Sequence, residues 1–178
     1  SNKINFVYKE ADKKLIQIIK KLNLVYGNKV IEYPLSGIDY LNTISKKINK
    51  FDGSILLFDY GYIGRKSIDT LQSISKHKYS NILENPGDTD ITHLVNYNLF
   101  FNILKKNKLE VNKVVTQREF LQKLGIIERA NILSKEMNFN NKADIYYKLK
   151  KLLHYNEMGS LFKVLAAQKK GSKFSLGF

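Results

Sequence analysis

Between Gly53 and Asp59 the chain reads Ser-Ile-Leu-Leu-Phe, with four consecutive apolar residues and no polar residue alternating between them. A half-buried strand alternates, so this run predicts a strand over residues 54–58 that is covered on both faces. Such a strand belongs inside a layered α/β domain. The run ends in Asp59-Tyr60-Gly61. These residue types close a strand at a turn. In open α/β sheets, however, ligands sit beyond the carboxyl ends of the strands. The same three residues are therefore placed to form the lip of an active site.

The neighbouring sequence supports the layering. Ile4–Tyr8 reads as a strand, and Leu15, Ile18, Ile19 and Leu22 recur at helical spacing within Ala11–Leu24. Lys29–Pro34 reads as a short strand, and Ser36 is placed to cap a helix through Ile48 that turns Ile38, Leu41, Ile44 and Ile48 to one side. Residues 63–93 carry Gly64, Pro86-Gly87 and many polar groups, a long excursion of the kind that often serves function. A helix over Asn96–Lys106 carries Tyr97, Phe100, Phe101 and Leu104. A strand over Glu110–Val115 follows, then helices over Gln117–Leu124, Ile126–Met137 and Lys142–His154, and a last strand over Leu161–Gln168. The expected organisation is one α/β domain over 1–170, with a long insertion at about 63–96 and a flexible tail over 171–178.

Composition removes several chemistries. There is no cysteine, hence no disulfide, thiolate metal site or cysteine nucleophile. His77, His93 and His154 stand far apart without a metal-ligand spacing, so no metal is expected. No apolar run approaches a membrane span. The net charge is +14, carried mostly by scattered lysines, with arginine only at Arg65, Arg118 and Arg129. Together with abundant Asn and Ile, this reads first as AT-biased coding and a solvated surface, and second as a polyanion site. Nor is there a glycine-rich strand-to-helix turn: Gly27, Gly37, Gly53, Gly61 and Gly64 form neither G-x-G-x-x-G nor G-x-x-x-x-G-K.

Five motifs, in this order, resemble one family: GSILLFDYGY, DTLQSISKHK, NPGDTDIT, TQREFLQKLGI with Arg129, and MGSLFKVLAAQ. The family is the MidA-type class I S-adenosylmethionine-dependent methyltransferases, formerly DUF185. It includes a mitochondrial complex I assembly methyltransferase that modifies an arginine. The resemblance spans about Ile4 to Gln168 and implies the C-terminal half of a Rossmann-like class I fold. It further implies that the early strands and the glycine-rich S-adenosylmethionine loop lie upstream of Ser1. Where the family often has Ala-His followed by Val-Asp-Phe, this chain has His93-Leu94-Val95-Asn96-Tyr97. An amide replaces the acid, so no general base is expected from that segment.

An arginine substrate needs carboxylates placed for bidentate hydrogen bonds. By type the candidates are Glu32, Asp59, Asp69 and Asp90, with Glu32, Asp59 and Asp90 preferred; each is equally readable as a surface acid. Asp59, Tyr60 and Gly61 are the candidate cofactor contacts. The plainer readings are a turn cap for Asp59, core packing for Tyr60 and backbone freedom for Gly61. Asp90 and Thr92 also suit a turn, His77 an exposed loop, and Gln117 a helix start. The resemblance implies S-adenosylmethionine as cofactor, an arginine-bearing protein as substrate and the upstream half as partner. It locates the protein in the bacterial cytoplasm or the mitochondrial matrix. A homodimer is a further expected assembly; nucleic acid is not an expected partner. The chain alone is expected neither to bind the cofactor tightly nor to turn over. The alternative is a non-catalytic basic α/β module that binds an acidic protein or RNA, and a decayed fragment is a third reading.

Overall fold

The computed structural model describes residues 4–22, 24, 30–64, 69–76, 78–85, 87–172 and 175–178. His77, Lys29 and Pro86, which the sequence reading used, lie outside them. Contacts divide the chain into two compact units, Ser1–Tyr33 with Arg65–Leu94, and Pro34–Gly64 with Val95–Phe178.

The second unit holds the long strand. Helix α2 (Leu35–Phe51) feeds strand β1 (Ser54–Tyr62) through Asp52 and Gly53, both at positive φ. Pro34, not Ser36, occupies the cap position of α2, because the proline ring fixes φ where the helix begins and its missing N–H costs nothing there. The buried stripe of α2 is Ile38, Leu41, Ser45 and Ile48. Ile44 lies one residue off this stripe and is exposed, while Ser45 goes inside because its hydroxyl donates to the Leu41 carbonyl at 2.7 Å.

Strand β1 pairs antiparallel with β8 (Phe162–Gln168) from Ser54↔Gln168 to Tyr60↔Phe162. It pairs in parallel with β5 (Val95–Asn96) only at Gly61 and Tyr62. Strand β8 is the buried spine of this unit: Val164, Leu165, Ala166 and Ala167 are all inside. The expected single strand over 110–115 is two pieces, β6 (Glu110–Val111) and β7 (Val115–Thr116), both antiparallel to β8. Val111 faces Ala167 and Val115 faces Val164, so four steps on one side match three on the other. That mismatch is a bulge of one residue, with the Asn112 N–H still donating to the Ala166 carbonyl at 2.9 Å.

The expectation that residues 54–58 are covered on both faces does not hold. Leu56 is 49% exposed and Phe58 39% exposed. The exposure alternates with the pleat: Leu56, Phe58 and Tyr60 share one open face, while Ile55 and Leu57 on the other are half-buried.

Helix α3 (Tyr97–Lys106) starts on Asn96, whose Oδ1 accepts the Leu99 N–H, and buries Tyr97, Leu99, Ile103 and Leu104. Helix α4 (Gln117–Lys123) opens on a reciprocal cap between Thr116 and Glu119. Helices α5 (Ile126–Ser134), α6 (Phe139–Leu153) and α7 (Met158–Leu161) follow and lead into β8. Phe120 of α4 packs with Val115 and Val164, and the ring of Phe178 stands edge-on to it at 5.2 Å.

The first unit contains helix α1 (Lys13–Lys21), capped by Asp12, and a small antiparallel sheet. Its strands, β2 (Gln72–Ser75), β3 (Lys78–Ser80) and β4 (Asp90–Thr92), run in the order β3-β2-β4. The excursion is thus partly ordered as a sheet. Its strands are short and polar, which hid them from an apolar-pattern reading. Among the described residues two expected strands are not assigned as strand: 4–8, where Phe6, Val7 and Tyr8 are exposed, and the described part of the second, 30–34. Apolar content alone cannot hold a strand without a neighbouring one.

Candidate functional site at the carboxyl end of the long strand

The predicted lip is not a turn. Strand β1 continues through Asp59, Tyr60 and Gly61 to the buried Tyr62. Gly61 has no positive φ, so the expected role in turning the chain is replaced by a steric one. A Cβ at Gly61 would lie 2.4 Å from the Val95 carbonyl oxygen and 2.6 Å from Cε2 of Tyr97. Only glycine lets β5 and the Tyr97 ring approach this closely.

Tyr97 is fully buried. Its hydroxyl donates to the Lys163 carbonyl at 2.9 Å and lies 3.3 Å from the Asp59 carbonyl. These carbonyls belong to residues that face each other across β1 and β8. Burial pushes the phenol well above its ordinary range, so Tyr97 stays a neutral donor and is no general base. Helical spacing puts Tyr97 in the helix over 96–106 but does not reveal this clamp, whose partners lie far away in the chain. Its one visible signal was a tyrosine at the mouth of a helix that follows a short apolar pair.

Asp59 is exposed, and its Oδ1 accepts the Tyr60 N–H at 2.7 Å. Tyr60 points to the other face of the sheet, 47% exposed, with its ring centroid 4.0 Å from that of Phe162. The lip therefore offers an acid on one face and a half-open aromatic on the other.

Glu32 and Asp90 belong to the first unit, Asp59, Tyr60 and Gly61 to the second. Glu32 is no free carboxylate. Its Oε1 accepts the Thr70 N–H at 2.8 Å and its Oε2 accepts the Thr70 hydroxyl at 2.6 Å, while the same hydroxyl accepts the Leu94 N–H at 2.9 Å. This clasp ties Glu32 to the DTLQ motif, and Thr70 was not singled out from sequence. Asp69 caps its own turn through Leu71 N–H. Asp90 is exposed on β4, and Thr92 accepts from Gln72 Nε2 at 3.1 Å. His93 is exposed, its ring 3.2 Å from the Leu94 carbonyl. Gln117 is buried and donates to the Leu152 carbonyl, a packing role.

Among the described residues no group of His, Asp or Glu is placed to hold a metal ion. An open groove of about 360 Å³ is lined by Ile63, Asn98, Phe101, Val111, Lys113 and Val114. It has no carboxylate to take sugar hydroxyls and does not include Asp59, Tyr60 or Gly61. The chain contains no glycine-rich strand-to-helix turn.

Residues 1–115 match the family model described as "Putative S-adenosyl-L-methionine-dependent methyltransferase". The chain is 30% identical over 124 residues to protein arginine methyltransferase NDUFAF7, mitochondrial, of Xenopus tropicalis, covering 69% of this chain and 28% of that protein. It is 31% identical over 136 residues to the Caenorhabditis elegans homolog, covering 76% and 32%. The chain thus spans about a third or less of these relatives. A COG1565-superfamily crystal structure from Burkholderia thailandensis bound to S-adenosyl-homocysteine superimposes with a TM-score of 0.73 at 19% identity, over 96% of this chain and 44% of that one. The likeness shows the fold, the later strands of a Rossmann-like class I sheet. No helix of the described residues is long and apolar enough to cross a membrane.

Proposed function

The chain belongs to the S-adenosyl-L-methionine-dependent methyltransferase family whose model it matches, and from that membership we propose that it is the C-terminal, substrate-side part of a protein arginine methyltransferase. One observation carries the reading. Among the described residues no strand pairs with the second edge of β1 over 54–60, and Leu56, Phe58 and Tyr60 are exposed, in a chain spanning only 28% and 32% of two arginine methyltransferase relatives. Such an edge is a template for another strand. We assign that strand to the upstream half of the enzyme, which would also bring the glycine-rich cofactor loop.

Bound S-adenosylmethionine supplies a methyl group on a sulfonium that is already a good leaving group. The chain's own residues would then chiefly align and dehydrate the guanidinium, with a carboxylate or water taking the proton that the methylated nitrogen releases as the thioether leaves. Tyr60, backed by Phe162, presents a flat wall. The Asp59 carboxylate retains acceptor sites beyond the one used by Tyr60 N–H, enough to orient a guanidinium. Asp90 is the second candidate for that task. Glu32 would act with the lone pairs that Thr70 leaves free. The family's tie to complex I assembly belongs to the same proposal, with a matrix location in a eukaryote or a cytoplasmic one in a bacterium.

Calorimetry tests it. The chain alone is expected to show no micromolar affinity for S-adenosylmethionine. Adding the upstream half, fused or as a second chain, is expected to restore binding and methyl transfer to an arginine peptide. Micromolar binding by the chain alone, or none by the reunited halves, overturns the reading.

A further inference from the structure

The lysines look scattered in sequence, but the second unit gathers eight of them at the end of the sheet opposite the Asp59 lip. Asn49, near the end of α2, donates its Nδ2 to the Asn107 carbonyl just past the end of α3, and Asn107 Nδ2 returns to Asn42 Oδ1, both at 2.8 Å. Helix α3 leaves β5 beside Tyr62 and ends before Glu110, whose partner Gln168 lies opposite Ser54, and α2 ends just before β1, so both helices finish near the level where β1 begins. Lys46, Lys47 and Lys50 come from α2, and Lys105, Lys106 and Lys108 from the end of α3; all are exposed. Strand β8 runs the other way and ends with Gln168 opposite Ser54, which brings Lys169 and Lys170 to the same rim. The acids at this rim are engaged with backbone: Asp52 takes the Gly53 N–H and Glu110 the Gly171 N–H. Among the described residues, none of the eight lysines has a carboxylate within ion-pair distance. Helix dipoles favour lysine in the last turns of α2 and α3, but Lys46, Lys47 and Lys170 lie outside those turns.

Two features select among polyanions. The rim is lysine only, a set of mobile point charges without the planar fork that recognises an individual phosphate. Apolar groups also project along α2, from Phe51 at the rim to Tyr40 about 16 Å up the helix. Tyr40, Ile44, Lys47 and Phe51 follow one another along the outer face of α2, where Tyr40 and Phe51 are each 71% exposed. One face of the Phe51 ring is occupied by the Lys50 ammonium, 4.8 Å from its centroid, so it is a poor platform for a nucleobase. Clustered exposed lysines attract anionic headgroups, and exposed apolar tips among them can dip between those headgroups. We propose that this rim and the last turns of α2, with Ile44, Lys47 and Phe51, bind the surface of an anionic phospholipid bilayer, leaving the Asp59 lip at the far end of β1. The inference does not depend on the methyltransferase reading.

The test is co-sedimentation of the 178-residue chain with phosphatidylcholine vesicles, with and without phosphatidylserine. Binding is expected only with phosphatidylserine, falling as salt rises. The triple variant Lys46→Glu, Lys47→Glu, Lys50→Glu is expected to lower the partition coefficient at least about a hundredfold. The same three reversals at Lys142, Lys150 and Lys151 on α6 serve as the charge-matched control and are expected to change it only about fivefold or less. Phe51→Ala is expected to weaken the binding that survives at raised salt. All these residues are exposed, and circular dichroism verifies that each variant is folded. Absence of vesicle binding, or equal losses in the two triple variants, overturns the proposal. So does tighter binding of single-stranded oligouridylate through the same three lysines, which would make the rim an RNA site.

Discussion

Gly61 and Tyr97 stand so close that the glycine's missing side chain is what admits the tyrosine ring: a Cβ there would lie 2.6 Å from Cε2. The Val95 carbonyl, at 2.4 Å from the same point, is backbone and cannot step aside. Gly61→Ala is therefore expected to destabilise the chain by about 1–3 kcal/mol through overpacking. Urea unfolding followed by circular dichroism measures it. An unchanged midpoint would show that β5 and α3 can retreat.

Tyr97→Phe keeps the ring and removes the hydroxyl that holds the Lys163 carbonyl. The expected loss is about 1 kcal/mol. The pH dependence adds a signature. Burial raises the folded-state pKa of this phenol, so its contribution is complete below the unfolded value of about 10 and is lost as pH rises beyond it. The alkaline limb of stability should therefore be flatter in Tyr97→Phe than in the parent chain. Parallel limbs would mean that the phenol does not titrate with unfolding.

The Glu32–Thr70 clasp predicts a local effect. Thr70→Val removes the hydroxyl that donates to Glu32 and accepts from Leu94 N–H. Amide hydrogen exchange at Leu94 is expected to speed up by about tenfold or more, in line with a lost bond to a charged group. Glu32→Gln should move the same amide in the same direction. An effect on Leu94 from neither variant would break the link between the two.

Glu119 governs part of the acid limb. The hydrogen bond from Thr116 N–H lowers its folded-state pKa, with the nearby Lys113 and Lys123 adding smaller contributions. Its stabilising effect is thus present above the unfolded value of about 4.3 and is lost as pH falls through the folded one. Glu119→Gln is expected to flatten the loss of stability on the acid side of the unfolded value. The side chain is largely exposed, so the change is small. Thr116→Ala should cost about 1 kcal/mol at neutral pH by removing the other half of the cap.

Gly159, in the MGSLF stretch, is the second glycine that packing requires. A Cβ there would lie 2.3 Å from the Leu153 carbonyl oxygen, at the junction of α6 and α7. Gly159→Ala is expected to lower the thermal midpoint more than Gly171→Ala, whose Cβ would meet nothing, despite the positive φ at Gly171. Differential scanning fluorimetry compares the two, and the reverse order would remove the steric reading.

The amino-acid sequence by itself determined the helices, because apolar spacing along one chain already states which face turns inward: residues 97–106 and 117–123 form where the pattern puts them. It likewise determined the final strand, the lack of any thiolate chemistry and the lack of a glycine-rich cofactor turn. What only the tertiary structure decided involves partners far apart in the chain. Tyr97 meets Gly61 across 36 positions, Glu32 finds Thr70 across 38, and lysines near 47, 106 and 170 converge on one rim. The apolar run at 54–58 looked buried because pattern reports what a strand is suited to touch. Whether a layer actually covers each face is decided by the tertiary packing, and over those residues the face of Leu56 and Phe58 stays partly open while Ile55 and Leu57 are half-buried.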